Sequence, residues 1–320
     1  MTTAPETLPE APQSRLRRAW NRLADAAAKR GRLLTVANIF TQAGIIVTGG
    51  AVRLTGSGLG CSTWPQCEPG SFTPAFVAAT PFHAYVEFGN RLLTFVLLVV
   101  AVGVAIAVRR TRPDLKWWGL APLIGVLAQA VIGGITVLTD LNPAVVAPHL
   151  LISMLLVWAA VQLALRYREA PRRNGGCIKR ELAVFNVLTV LVVVLGTLTT
   201  GAGPHSGDAA ATERLAMDPA LIARVHAVSV WVFVAVLLWI IWKVRNDVSH
   251  GERDEVRKAW VVLLAVTLLQ GVIGYVQYFT GLPELLVGIH LAGAATLVAA
   301  QSAAHYLLRR KRPATAVASA

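Results

Sequence analysis

Three histidines stand inside apolar stretches, where an ionisable side chain is costly: His149, His226 and His290. Each follows the start of its apolar run by about six residues. At 1.5 Å per residue that places all three at one depth, about 9 Å in. An ionisable group within a membrane span points by default to function. Imidazoles at a common depth on neighbouring helices suit axial ligation of a haem, one ring on each face of the macrocycle. His226 and His290 form such a pair in the second half of the chain. In the first half, aligning "ARVHAVSV" (Ala223–Val230) with "EFGNRLLT" (Glu87–Thr94) sets Asn90 where His226 stands. His149 is therefore opposed by a poor ligand. The alternative is a set of hydrogen-bonded core histidines. His83 does not stand in for Asn90, since it lies two turns nearer the helix start. His205 sits in a loop, where it suits contact with a propionate or a partner. His250 and His305 read as surface or snorkelling groups.

A second cluster surrounds Asn90. Glu87 and Asn90 are spaced i, i+3 on one helix face, with Arg91 beside them. A carboxylate there is either a base or the structural partner of Arg91. Before it, "GGAVRLTGSGLGCSTWPQC" (Gly49–Cys67) carries Arg53, a glycine-rich loop and two cysteines, Cys61 and Cys67. A gap this short closes easily, and a non-cytoplasmic loop permits a disulfide. Such a bridge is either redox-active or a structural clip. Zinc needs more ligands than this loop supplies, since only Glu68 is close. Arg53 is placed to pair with a haem propionate, or to anchor a helix at the interface. Cys177, in a basic connection, reads as a reduced bystander.

The elements that must position these groups are long apolar helices. Of 320 residues 55% are hydrophobic and 15% charged, against about 25% charged in a soluble domain. Eight runs of membrane-spanning length occur: Leu33–Val52, Tyr85–Val108, Trp117–Leu138, Ala144–Leu165, Leu182–Thr200, Ala220–Trp242, Ala259–Phe279 and Leu285–Leu308. Lipid forces each to satisfy its own backbone, so all are helices. Their unbroken apolar character excludes a barrel, whose strands alternate. The net charge of +13 is confined to blocks: 26 of 30 Lys and Arg lie in Arg15–Arg32, Arg109–Lys116, Arg166–Arg180, Lys243–Lys258 and Arg309–Arg312. That distribution argues against a nucleic-acid partner. It is the positive-inside pattern, which puts both termini in the cytoplasm and gives contact with anionic lipid as a minor extra. The first run starts at Leu33 and is too long for a signal peptide.

The chain also repeats. "LAQAVIGGITVLTDLNPAVVAPHLL" (Leu127–Leu151) matches "LLQGVIGYVQYFTGLPELLVGIHLA" (Leu268–Ala292), with 20 residues from Gln129 to His149 and from Gln270 to His290. Asn38 and Asn186 open similar helices, which end in "TGSG" and "TGAG". Four helices per repeat keep both halves in one orientation, so the expected architecture is two parallel four-helix bundles about a pseudo-two-fold axis. The divisions are a cytoplasmic tail at 1–32, bundles at 33–168 and 181–308, a linker at 169–180 and a tail at 309–320. The segments Met1–Glu10 and Pro313–Ala320 read as unstructured.

Taken together, "GGAVRLTGSGLGCSTWPQC", "VEFGNRL", "PHLL", "TGAGPHSGD", "RVHAVSV" and "GIHLAG" resemble the heme A synthase family of membrane oxidoreductases, from about Leu33 to His305. The resemblance implies oxidation of the C8 methyl of heme O to a formyl group by successive hydroxylations. It implies a b-type haem cofactor on His226 and His290, and a substrate haem on His149 in the first bundle. It implies a catalytic Glu87 with Arg91 beside it, and a redox or haem-transfer role for Cys61 and Cys67 at the outer face. Heme O synthase and oxidase assembly factors are the implied partners, and the cell membrane the location. The family's helix motif Glu-x-x-His-Arg is broken at Asn90, so a five-coordinate iron through His149 is the alternative to ligation from both sides. A bare b-type cytochrome, transferring electrons without changing a haem, is the rival reading of the same histidines.

Overall fold

The computed structural model describes residues 14–75, 81–169, 179–211, 213–247 and 250–309. Most of both tails, of the linker and Cys177 lie outside them. Among the described residues there are nine α-helices and no strand beyond the bridge of Glu68 with Ser71. Helix α1 (Arg15–Lys29) precedes α2 (Gly31–Leu54), α3 (Phe82–Thr111), α4 (Lys116–Leu138), α5 (Pro143–Arg168), α6 (Lys179–Ala202), α7 (Pro219–Asp247), α8 (His250–Phe279) and α9 (Glu284–Arg309). The last eight are long and apolar enough to cross a membrane, and the chain is a multi-pass helical membrane protein. Each apolar run lies inside one of them. The helices overrun the runs mostly at their basic ends, where Lys and Arg stems reach the interface.

Helix α1 is the element that the apolar runs do not announce. It occupies part of the expected basic tail. Ser14 caps it, Oγ accepting from Arg17 N at 3.3 Å. Ala24 is buried, α1 packs on α3, and Asp25 pairs with Arg110 at 3.0 Å.

Helices α2 to α5 close a ring, each packed on the next and α5 back on α2. Helices α6 to α9 follow in the same order, with α9 touching α6 more lightly. The two groups meet where α9 contacts α2 and α5, and where α5 contacts α6. Ile46, Met154, Val157, Ala295 and Val298 fill that seam. Polar bonds lock it: Gln162 Nε2 donates to the Ser302 carbonyl at 2.8 Å, and Ser302 Oγ donates to the Trp158 carbonyl at 2.8 Å.

Two turns agree in detail. After α4, Asp140 and Leu141 take φ of 51° and 60°, and Leu141 N donates to the Thr136 carbonyl at 2.8 Å. After α8, Gly281 and Leu282 take 80° and 60°, and Leu282 N donates to the Gln277 carbonyl at 2.7 Å. Left-handed backbone costs a non-glycine residue about 1–2 kcal/mol, so both turns hold leucine against its preference.

One expectation is corrected here. His305 is no surface group: it is 7% exposed, and its Nδ1 lies 3.1 Å from Asn186 Oδ1, which also accepts from Gln301 Nε2 at 2.7 Å. Its place near the basic end of α9 suggested exposure, but its helix face is turned inward.

The second group of helices is filled by Phe185, Phe233 and Trp260, all fully buried, with ring centroids 4.6 Å and 5.1 Å from Phe185. Replacing Phe185 by Ala leaves a void whose lining loses dispersion contacts. The expected loss is about 3 kcal/mol, the low end for such a change, because transfer out of lipid adds little. Denaturant unfolding in detergent checks it; an unchanged midpoint would show that this aromatic stack does not hold the helices.

Candidate functional site

Glu87 lies one turn into α3 and is 5% exposed. A buried carboxylate needs compensation, and Glu87 has it on both oxygens. Its Oε2 accepts from the Cys61 backbone N–H at 2.7 Å. Its Oε1 accepts from Arg91 Nε at 3.0 Å, and Arg91 Nη2 closes the ion pair. The i, i+4 spacing on one helix face makes that pair local. The guanidinium then reaches into the loop: Arg91 Nη1 donates to the carbonyls of Thr63 at 2.9 Å and Gln66 at 3.1 Å. Cys61 and Cys67 are joined in a disulfide, with Cα atoms 4.4 Å apart and both residues fully buried. So the carboxylate, the guanidinium and the bridged loop form one unit.

The loop is seated elsewhere too. Ser57 Oγ and His83 Nδ1 are 2.8 Å apart, which gives His83 a structural partner at the start of α3. Gly60 presses on the His83 carbonyl, and Trp64 lies over Gly134 of α4, where a Cβ would meet the indole. The loop thus caps the ends of α3 and α4.

His149, His226 and His290 lie six or seven residues after the first residues of α5, α7 and α9. Each Nδ1 is buried outside hydrogen-bonding geometry, although the His226 ring also comes within reach of the Val192 backbone. An unmet buried polar atom costs about 1–3 kcal/mol. Each ring also rests on a glycine of the helix before it. A Cβ would stand 3.5 Å from His149 Cε1 if placed on Gly133, 3.1 Å from His226 Cε1 on Gly196, and 3.3 Å from His290 Cε1 on Gly274. The glycines are seats for imidazoles, and the sequence reading had not singled them out. Their signal was the shared spacing of 16 residues in Gly133–His149 and Gly274–His290. Matching bonds hold the backbones: Gln129 Nε2 donates to the His149 carbonyl at 2.8 Å, Gln270 Nε2 to the His290 carbonyl at 2.9 Å.

This donor set fits a haem. Axial ligation asks for imidazoles with a nitrogen not already committed and space beside the ring. It does not ask for a polydentate cage, and among the described residues no three His, Cys, Asp or Glu gather to hold a metal ion. Asn90 differs from the histidines, since its Oδ1 accepts from Thr48 Oγ1 at 2.8 Å.

Arg53 serves the roof of the site. Its Nε donates to the His205 carbonyl at 2.7 Å and its Nη2 to the Thr200 carbonyl at 3.1 Å. His205 Nε2 lies 2.9 Å from the Leu282 carbonyl, and Gly58 N donates to the Gly207 carbonyl at 2.8 Å. The connection between α6 and α7 therefore lies across both groups of helices. Arg53 and His205 act here as struts.

Eight spans, with three histidines set on glycines of neighbouring helices, define a polytopic helical membrane protein. The family model described as COX15-CtaA, cytochrome oxidase assembly protein, matches residues 32–302, and the chain belongs to this family. It is 25% identical over 282 residues to a protein named heme A synthase from Bacillus pumilus, covering 82% of this chain and 88% of that one. A heme A synthase from Geobacillus kaustophilus is 35% identical over 133 residues, 40% of each chain. One from Listeria welshimeri is 25% identical over 276 residues, covering 79% of this chain and 86% of that one.

If Arg91 clamps the loop, Arg91→Ala should expose the cysteines. After mild reduction, alkylation of Cys61 and Cys67 by a bulky maleimide should run at least about tenfold faster than in the unaltered protein, a free-energy change of about 1.4 kcal/mol. Equal rates would mean that the loop is held without the guanidinium.

Proposed function

We propose that this protein is a heme A synthase. It oxidises the C8 methyl of heme O to a formyl group through two hydroxylations and loss of water from the resulting gem-diol. From the methyl and one net water, four electrons and four protons leave. The observation that carries the reading is the set of three half-buried imidazoles, each on a glycine and each with its Nδ1 buried, at nearly the same distance from the start of its helix; a pinned carboxylate, Glu87, accompanies them in the first group of helices. Membership of the family and the likeness to heme A synthases over most of the chain support it.

In this reading His149 binds the iron of heme O. Glu87 is the base that takes a proton at the reacting carbon, and its two sets of hydrogen bonds hold the carboxylate in one orientation. Arg91 pairs with Glu87 and holds it in place. Arg53 brings positive charge to the roof, where propionates are drawn. His226 and His290 hold a b-type haem, which supplies a one-electron acceptor. Cys61 and Cys67 keep the loop closed over the mouth of the first bundle.

The architecture that goes with this is two parallel four-helix bundles, 33–168 and 181–308, related by a pseudo-two-fold axis. The matched turns at Leu141 and Leu282 and the matched bonds of Gln129 and Gln270 support it. Both termini lie in the cytoplasm with the basic blocks, and the disulfide lies on the other side. A heme O synthase supplies the substrate, and oxidase assembly factors receive the product.

The test is co-expression with a heme O synthase in a host that lacks heme A, followed by extraction and chromatography of the haems. The unaltered chain should yield heme A or its hydroxymethyl precursor. Glu87→Gln should yield heme O alone while the b-type spectrum persists. A red protein that leaves only heme O and heme B would favour the bare cytochrome instead.

A further inference from the structure

One helix pair breaks the pattern of the other three. His149, His226 and His290 each rest on a glycine of the preceding helix. Between α2 and α3 the same two places hold Thr48 and Asn90. Asn90 aligns with His226, and Thr48 stands ten residues after Asn38 as Gly196 stands ten after Asn186. The structure joins the two directly, Thr48 Oγ1 donating to Asn90 Oδ1 at 2.8 Å.

The exchange is steric as well as chemical. At Gly196 even a Cβ would come within 3.1 Å of the His226 ring, closer than ordinary van der Waals contact. Thr48 puts a branched side chain in the equivalent place, so α2 has no seat for an imidazole at position 90. The amide oxygen, a poor iron ligand in any case, is taken by the threonine hydroxyl. α3 and α5 stand across their ring from each other as α7 and α9 do in theirs.

We infer that the first bundle holds its haem through His149 alone, and that the Thr48–Asn90 pair is a wall that leaves the opposite axial position open to a small neutral ligand such as carbon monoxide or water. This rests on the reading of His149 as the ligand of the substrate haem. It makes the two sites unlike: a closed, two-histidine site built for electron transfer, and an open one in which the iron accepts exchangeable ligands.

The experiment uses the full chain purified with both haems after co-expression with a heme O synthase. Ferrous protein is titrated with carbon monoxide, and ferric protein is examined by electron paramagnetic resonance. The expected result is one carbon monoxide bound per two haems, and a high-spin ferric signal that disappears in His149→Ala. The double variant Thr48→Gly with Asn90→His should turn that haem low-spin and silent to carbon monoxide. Asn90→His alone should not, because Thr48 still fills the seat. A His149-dependent haem that is low-spin and binds no carbon monoxide in the unaltered chain would overturn the inference while leaving the ligand assignment intact. A double variant that keeps its high-spin signal would overturn the role of the wall. Haem content and spectra unchanged in His149→Ala would instead remove the ligand assignment, and this inference with it.

Discussion

A carboxylate buried in a membrane protein has to be matched on both oxygens, and the way Glu87 is matched organises its surroundings. A charge removed from water costs several kcal/mol unless it is paired and hydrogen-bonded. Arg91 supplies the pairing from the same helix face, and Cys61 N–H supplies the rest from a loop. Because Arg91 is also spent on the Thr63 and Gln66 carbonyls, satisfying one carboxylate fixes a whole connection. The disulfide shortens that connection further, so few arrangements of it remain that leave Glu87 paired.

The same economy of polar groups runs across the molecule. Arg53, half-buried near the end of α2, finds its acceptors at the end of α6 and in the connection that follows it rather than near itself. Gln162 and Ser302 do the same at the opposite end of the seam. Apolar packing at Ile46, Met154 and Val298 gives the seam its area, and these few bonds give it a register. The two groups of helices are therefore joined at both ends, while the chemistry proposed for each differs.

The spans were legible because lipid leaves one solution for a long apolar run, and every run proved to lie in a helix. The histidines were legible because ionisable groups stand out against such a background. Helix α1 was not, since a search for apolar runs of spanning length passes over a basic segment; the helical spacing of Leu16, Trp20 and Leu23 was the signal that could have found it. His305 was misplaced because nearness to Arg309 says nothing about which side of α9 it occupies. The glycine seats escaped notice because a glycine in an apolar helix has many explanations, and only the ring beside it selects one. The pairing of Asn90 with Thr48 was hidden for a related reason: nothing in the spacing of two polar residues 42 positions apart states that they touch.

Gly133 and Gly134 are neighbours in α4, yet they receive different visitors. His149 rests on the first and Trp64 of the bridged loop on the second. One peptide unit thus separates the landing place of the loop from that of the imidazole. A side chain added at the second glycine would strike the indole, and one added at the first would only touch the histidine ring, so two neighbouring positions carry unequal tolerance for bulk.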